Sequence, residues 1–160
     1  MFGFSHKKQA PVAIFRRHHV IFQYKLIHSD AKVPTQSRDT DAAYDVYTID
    51  AALIEPGTMV NLHTGIRLAC PDGWYYTTEG RSGLNSKFIT PLRGVIDASF
   101  NGELRIILCN FSKVPYQVSK GDRVAQIIAH EMNKVTFKQV EEFSPEYDMR
   151  GIKGWGSTGK

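Results

Sequence analysis

In the stretch Gly94-Val-Ile-Asp97-Ala-Ser-Phe100-Asn-Gly102-Glu-Leu-Arg-Ile-Ile-Leu-Cys-Asn110, two short apolar runs flank a turn. Val95 and Ile96 are β-branched, as strand residues commonly are. Asn101-Gly102 reads as the turn of a hairpin, because both residues tolerate positive φ. Glu103–Asn110 then reads as the returning strand. Asp97 falls at the end of the first strand, where a fixed carboxylate can serve as a general base toward water. An aspartate before a turn is equally a capping residue, so its meaning depends on the company it keeps.

The same texture extends in both directions. From Val20 onward, short apolar segments alternate with turn signals about every 8–12 residues, the pattern of an all-β sandwich or barrel. Candidate strands are Val20–Ile27, Tyr44–Thr48, Thr58–Asn61, Gly65–Ala69, Trp74–Thr78, Gly94–Asp97, Glu103–Asn110, Tyr116–Val118, Arg123–His130 and Lys134–Gln139. Pro56-Gly57, Pro71-Asp72-Gly73 and Lys120-Gly121-Asp122 supply further turns. Helical periodicity is nearly absent, and one short helix is expected near Ser82, including Leu84 to Lys87. No internal repeat is visible.

A chain of 160 residues suits one domain. With 42% hydrophobic and 22% charged residues it has the composition of a folded protein, which argues against disorder. No apolar run approaches the roughly 18 residues of a membrane span, so no membrane partner is expected. The net charge of +4 is unevenly spread: residues 1–38 hold seven Lys/Arg against Asp30 alone, and the remaining 122 hold 13 against 15 Asp/Glu. The basic character therefore belongs to a leader, and no nucleic-acid partner is expected. Residues 1–20 lack a clear apolar core and read as a flexible basic extension rather than an organelle-targeting signal. Cys70 and Cys109 lie in apolar segments without CxxC spacing. They read as buried reduced thiols, in keeping with a cytoplasmic or nuclear protein. Residues 21–149 are the expected β domain, and residues 150–160 form a Gly-rich tail too poor in apolar residues to pack alone.

Three further segments carry chemistry. Arg81-Ser82-Gly83, at the entrance of the short helix, offers a guanidinium, a hydroxyl and backbone N–H groups to an anion. The planar fork of an arginine suits phosphate oxygens in particular. Gly121-Asp-Arg-Val-Ala-Gln126 puts an amide on a strand face with Val124 and Ile128, either as a satisfied buried group or as a ligand contact. The tail spells GxxxxGK over 154–160, yet it lacks the Ser/Thr and the helix that should follow, and a P-loop is rejected. Its small residues, hydroxyls and Arg150 could still cover a polyphosphate, and Trp155 a base.

Taken in order, these segments closely resemble the five signature motifs of the trimeric dUTP pyrophosphatases (dUTPases). Asp41-Ala-Ala-Tyr44-Asp45-Val46 looks like the first, Gly80-Arg-Ser-Gly-Leu-Asn85 the second, and Gly94 through Asn110 the third. Gly121 to Gln126 looks like the fourth and Arg150 to Gly159 the fifth. The resemblance implies a jelly-roll-like distorted β-barrel with one short helix, assembled as a homotrimer whose exchanged C-terminal arm closes the active site. It implies hydrolysis of dUTP to dUMP and pyrophosphate, with Mg²⁺ on the triphosphate. Asp97 would activate the water that attacks the α-phosphorus, and Arg81, Ser82 and Gly83 would hold phosphates. Val95, Ile96 and Arg105 would read the uracil edge, and Phe100 would pack under the deoxyribose and block a ribose 2′-hydroxyl. Gln126 would contact substrate, Arg150, Gly156 and Ser157 would close over the phosphates, and Trp155 would stack on the base. Asp45 would act through water near the metal.

Four positions depart from the family pattern. Phe100 replaces a usual Tyr, Ser99 a second acid, Ala43 a Gly, and Trp155 a commoner Phe. None removes a residue that the chemistry requires. The related dCTP deaminases carry a Glu as proton shuttle in the strand after the turn; Ile107 stands there and cannot move a proton. A non-catalytic binding protein on the same barrel would be free to lose Asp97, yet Asp97, Arg81, Ser82, Gln126 and Arg150 are retained together.

Overall fold

The computed structural model describes residues 19–147. In chain order they form β1 (Gln23–Leu26), β2 (Tyr44–Tyr47), β3 (Ala52–Ile54), β4 (Met59–Ala69), β5 (Trp74–Glu79), α1 (Ser82–Asn85), β6 (Ile89–Pro91), β7 (Val95–Ile96), β8 (Glu103–Asn110), β9 (Tyr116–Val118) and β10 (Arg123–Glu131). Strand β8 shows how the alternation works. Leu104, Ile106 and Leu108 point into the core and are buried, while Arg105 and Ile107 point away. That period of two commits one face to the interior, and a one-residue slip would expose all of it.

Strand β8 pairs antiparallel with β4 from Met59↔Cys109 to Arg67↔Glu103, in a sheet ordered β1-β4-β8-β6. A second sheet is ordered β2-β10-β5-β7, and β3 pairs with β9 as a separate ribbon. The core gathers Leu62, Ile66, Ile106 and Leu108 from the first sheet with Val46, Tyr76, Val124 and Ala125 from the second. Each large side chain buried there contributes about 1.5–3 kcal/mol. The architecture is all-β and jelly-roll-like, as expected. Asn110 is fully buried at the end of β8. Its amide donates to the Ile54 and Val114 carbonyls at 2.8 Å, and its Oδ1 accepts from the Ser112 N–H and hydroxyl. All of its hydrogen-bonding positions are filled, so a polar group sits in the core without a desolvation penalty left open.

Several expectations need correction. Asn101-Gly102 is not a hairpin turn. β7 pairs with β5 while β8 pairs with β4 and β6, so the connection crosses between sheets. The turn is at Asp97–Phe100, where the Phe100 N–H donates to the Asp97 carbonyl at 3.0 Å, and neither Asn101 nor Gly102 has positive φ. Thr58–Asn61 and Gly65–Ala69 belong to a single strand, β4, bent by a bulge between His63 and Arg67. Lys134–Gln139 forms no strand, and Phe137 is 95% exposed. Strands β3 and β6 are additional. Cys70 and Cys109 are free and buried as read, and burial pushes both thiols up from their ordinary pKa.

The bulge in β4 is built around two residues. Gly65 adopts φ +67°, and a Cβ there would sit 2.8 Å from the His28 Cβ and 2.9 Å from the Ala31 Cβ. Its N–H donates to Glu103 Oε1 at 2.9 Å, and Glu103 Oε2 also meets His63 Nδ1 at 2.9 Å and Arg105 Nε at 3.2 Å. Burial pushes the Glu103 carboxyl up, and the Gly65 N–H, His63 and Arg105 more than offset it, so the group lies below its ordinary pKa.

Gly65→Ala therefore combines left-handed strain with a steric clash and is expected to cost about 2–4 kcal/mol, read as a fall in the urea midpoint. The depressed Glu103 pKa makes its contribution present above the unfolded-state glutamate value and lost as pH falls through the folded one. In a urea series against pH, Glu103→Gln should be less stable than the parent at neutral pH, and the gap should close on acidification.

Candidate active site

Asp45 lies in β2 and is 5% exposed. Three donors converge on it. Arg81 Nε reaches Oδ1 at 2.7 Å, Arg123 Nη1 reaches Oδ2 at 3.0 Å, and Gln126 Nε2 reaches Oδ1 at 3.3 Å. The register explains the convergence: Gln126 of β10 stands between Asp45 of β2 and Glu79 of β5, and Arg81 follows β5 by two residues. A bulge between Arg123 and Ala125 lets both Val124 and Ala125 enter the core, so Gln126 turns outward to Asp45. Gln126 thus donates one hydrogen bond to Asp45, and its Oε1 accepts none from the described residues.

Arg81 occupies the N-cap position of α1 in extended conformation, and its side chain makes no cap bond. It uses Nε on Asp45 and Nη1 on the Arg123 carbonyl at 3.2 Å. Three of its five N–H donors remain for an anion. The first bond inside the turn runs from the Leu84 N–H to the Arg81 carbonyl at 3.0 Å, so the N–H groups of Ser82 and Gly83 precede the helical ladder. Both residues are exposed. A cavity of about 290 Å³ opens here, bounded by Arg81, Gly83, Lys87, Tyr116, Asp122 and Arg123. Desolvation and the Asp122 charge push the Tyr116 hydroxyl up against a smaller opposing effect of Arg81, so Tyr116 is present as the neutral phenol. Three cations against Asp122 and the buried Asp45 leave the mouth net positive.

Asp97 is elsewhere. The pairs Ile96↔Tyr76 and Val95↔Thr77, continued by one step, bring Asp97 opposite Tyr75, six residues before Arg81. At about 3.3 Å per residue, Asp97 and Arg81 of one chain are roughly 20 Å apart. Asp97 is exposed and its carboxylate makes no hydrogen bond to the described residues. Val95 is 63% exposed beside it, and Ile96 packs against the core. Phe100 is 44% exposed. Arg105 lies on the outer face of β8, in the other sheet, with its Nε on Glu103. Ile107 shares that face. Arg150, Trp155, Gly156 and Ser157 lie outside the described residues, as does most of the basic leader.

Arg123 and Lys87 were not singled out from the sequence. Arg123 had a signal: it stands inside the Gly121–Gln126 motif, and a carboxylate buried in a strand requires cationic partners. Among the described residues, no group of three His, Cys, Asp or Glu side chains could hold a metal ion. Asp45 has four lone-pair positions and accepts three hydrogen bonds, which leaves one position on Oδ2. It fits a water in the shell of a cation better than direct coordination beside two guanidiniums.

The described geometry agrees with what the chain is similar to. A family model described as dUTPase matches residues 29–159. The deoxyuridine 5'-triphosphate nucleotidohydrolase of Clostridium tetani is 36% identical over 139 residues, covering 85% of this chain and 94% of that protein. The human mitochondrial enzyme of the same name is 36% identical over 140 residues, covering 86% of this chain and 54% of its own. Among solved structures, a mutant dUTPase of Staphylococcus bacteriophage 80alpha with dUpNHpp superposes with a TM-score of 0.80 at 27% identity, over 88% of this chain and 99% of that one. A mutant dUTPase from phage phi11 of S. aureus, with a structural Mg(II) ion, has a TM-score of 0.71 at 27% identity, over 77% and 98%. With the family model spanning most of its length and the Clostridium tetani relative 36% identical over 94% of its own chain, the protein belongs to the dUTPase family.

Proposed function

We propose that this chain hydrolyses dUTP to dUMP and pyrophosphate, with Asp97 as general base. The observation that carries the reading is the Asp45 clamp, which aims Arg81 beside the exposed Ser82 and Gly83 N–H groups in a net-positive mouth suited to a triphosphate. Asp97 orients a water molecule and takes its proton as the oxygen attacks the α-phosphorus. The bond from that phosphorus to the bridging oxygen breaks, and pyrophosphate leaves. Arg81 and the Ser82 and Gly83 donors stabilise the charge that develops on the phosphate oxygens, so catalysis is positioning and electrostatics without a covalent intermediate. Mg²⁺, when bound, draws charge from the triphosphate. Asp45, with one lone pair still open, would accept a hydrogen bond from water around it. Val95, Ile96 and Arg105 read the uracil edge, and the Phe100 ring packs under the deoxyribose where a 2′-hydroxyl would collide. Arg150, Gly156 and Ser157 close over the phosphates, and Trp155 stacks on the base.

The separation of Asp97 from Arg81, roughly 20 Å along β5, supports a site shared between copies of the chain, in a homotrimer. So does the exposed apolar segment after β10, where Val135 and Phe143 join Phe137 at 67% and 74% exposure. A single chain leaves this surface in water, and large exposed apolar patches mark interfaces.

Pyrophosphate release should be seen from dUTP with Mg²⁺ and be far slower from dCTP, dTTP and UTP at equal concentration. Asp97→Asn should keep nucleotide binding and lower kcat about 10²–10⁴-fold or more; turnover near the parent rate would remove Asp97 from this role. Sharing is tested by co-expressing Asp97→Asn with Arg81→Ala, each nearly inactive alone. Random assembly should restore about one quarter of the sites, because a whole site then takes its two residues from different copies. A mixed preparation as inactive as its parents would place the site within one chain.

A further inference from the structure

Residues 97–102 carry the chain from β7 in one sheet to β8 in the other, and the Phe100 to Asp97 bond is the one backbone hydrogen bond within the segment. Its second half is held from β4. Arg67 Nε donates to the Asn101 carbonyl, and Arg67 Nη2 donates to Asn101 Oδ1 at 3.3 Å. One planar guanidinium bonded to both the main chain and the side chain of a residue fixes its orientation as well as its position. Asn101 sits between Phe100 and Gly102, and those two residues are packed on one another. A Cβ on Gly102 would lie 2.7 Å from Phe100 Cζ and 2.9 Å from Cε2, so the ring rests directly on the glycine and would have to shift for any side chain there. A phenyl ring has no hydroxyl with which to anchor itself, and packing plus the hold on Asn101 must place it.

Arg67 itself has a firm base. It follows the Gly65 bulge, stands opposite Glu103, and lies between the buried Ile66 and Leu68. Beside the contact an open pocket of about 210 Å³ is lined by Tyr24, Lys25, Arg67 and Asn101.

We propose that Arg67 is a positioning residue for sugar discrimination: by clasping Asn101 it holds the Phe100 ring where it admits a deoxyribose and excludes a ribose. The proposal rests on the reading of Phe100 given above. Its test compares kcat/KM for dUTP and UTP in the full-length parent, Arg67→Ala, Arg67→Lys, Phe100→Ala and the double variant. Arg67→Ala should raise UTP relative to dUTP about five- to tenfold, the size of one or two net hydrogen bonds, mainly through KM. Arg67→Lys, which keeps a cationic donor without the planar fork, should fall between. The double variant should discriminate no worse than Phe100→Ala alone, because both changes act through the same ring.

Equal losses for both nucleotides in Arg67→Ala, with the ratio unmoved while Phe100→Ala moves it, would reduce Arg67 to a structural role and overturn the proposal. A ratio that Phe100→Ala also leaves unmoved would remove the reading of Phe100, and the proposal with it. If Arg67→Ala fails to fold, Asn101→Ala removes the side-chain acceptor alone and serves with Arg67→Lys in the same comparison.

Discussion

A carboxylate in a strand interior has to be neutralised where it stands, and Asp45 meets that demand by drawing Arg81, Arg123 and Gln126 onto one point. Removing any one donor would leave buried charge under-compensated, a loss usually larger than the net worth of the pair. The same requirement organises the surroundings. It ties β2 to the start of β10 and to the residue that opens α1, and it holds a long arginine side chain in one rotamer before any ligand arrives. An arginine held in this way loses little further freedom on meeting a phosphate, which is what preorganisation means in energetic terms. One acid between two guanidiniums also leaves a surplus positive charge, so the clamp is stable and still attractive to anions.

The second constraint is distance. Strand β5 runs away from Arg81, and β7 lies beside its middle, so the antiparallel register itself separates Arg81 from Asp97. No side-chain rotamer spans 20 Å. A barrel of this size can present Arg81 and Asp97 at its surface, but it cannot bring one onto the other without breaking the β5–β7 ladder.

How much of this was legible follows from which forces are local. The alternation in β8 is a period-two pattern written into eight residues, and the turn chemistry at Pro56-Gly57 needs no distant partner. The helix entrance at Arg81-Ser82-Gly83 was legible because the motif is contiguous, and the strand before Asp97 because Val95 and Ile96 are β-branched neighbours. Asn101-Gly102 misled because its turn propensity is local, whereas the choice of partner for β7 is made by Tyr76 and Thr77, far away in sequence. The bulge at Gly65 looked like the end of one strand and the start of another, since glycine at positive φ serves both purposes. Strands β3 and β6 are three residues each, too short to show a period. Lys134–Gln139 has a strand's alternation without a partner among the described residues. Arg123 was hidden because a charge pattern does not say which acid it will meet, and Arg105 was placed by its motif while Glu103 holds its guanidinium.

The two cysteines, lastly, make the molecule its own reporter. Cys109 lies within β8, and Cys70 directly follows the last residue of β4, so both pack at the sheet whose central ladder carries the core. Buried and with pKa values raised by burial, neither presents a thiolate to solvent while the sheet is closed. An alkylating reagent can reach them only through an opening of that sheet, so the rate of labelling is a clock for the rarest motions of the fold. The same seclusion shields both thiols from oxidants.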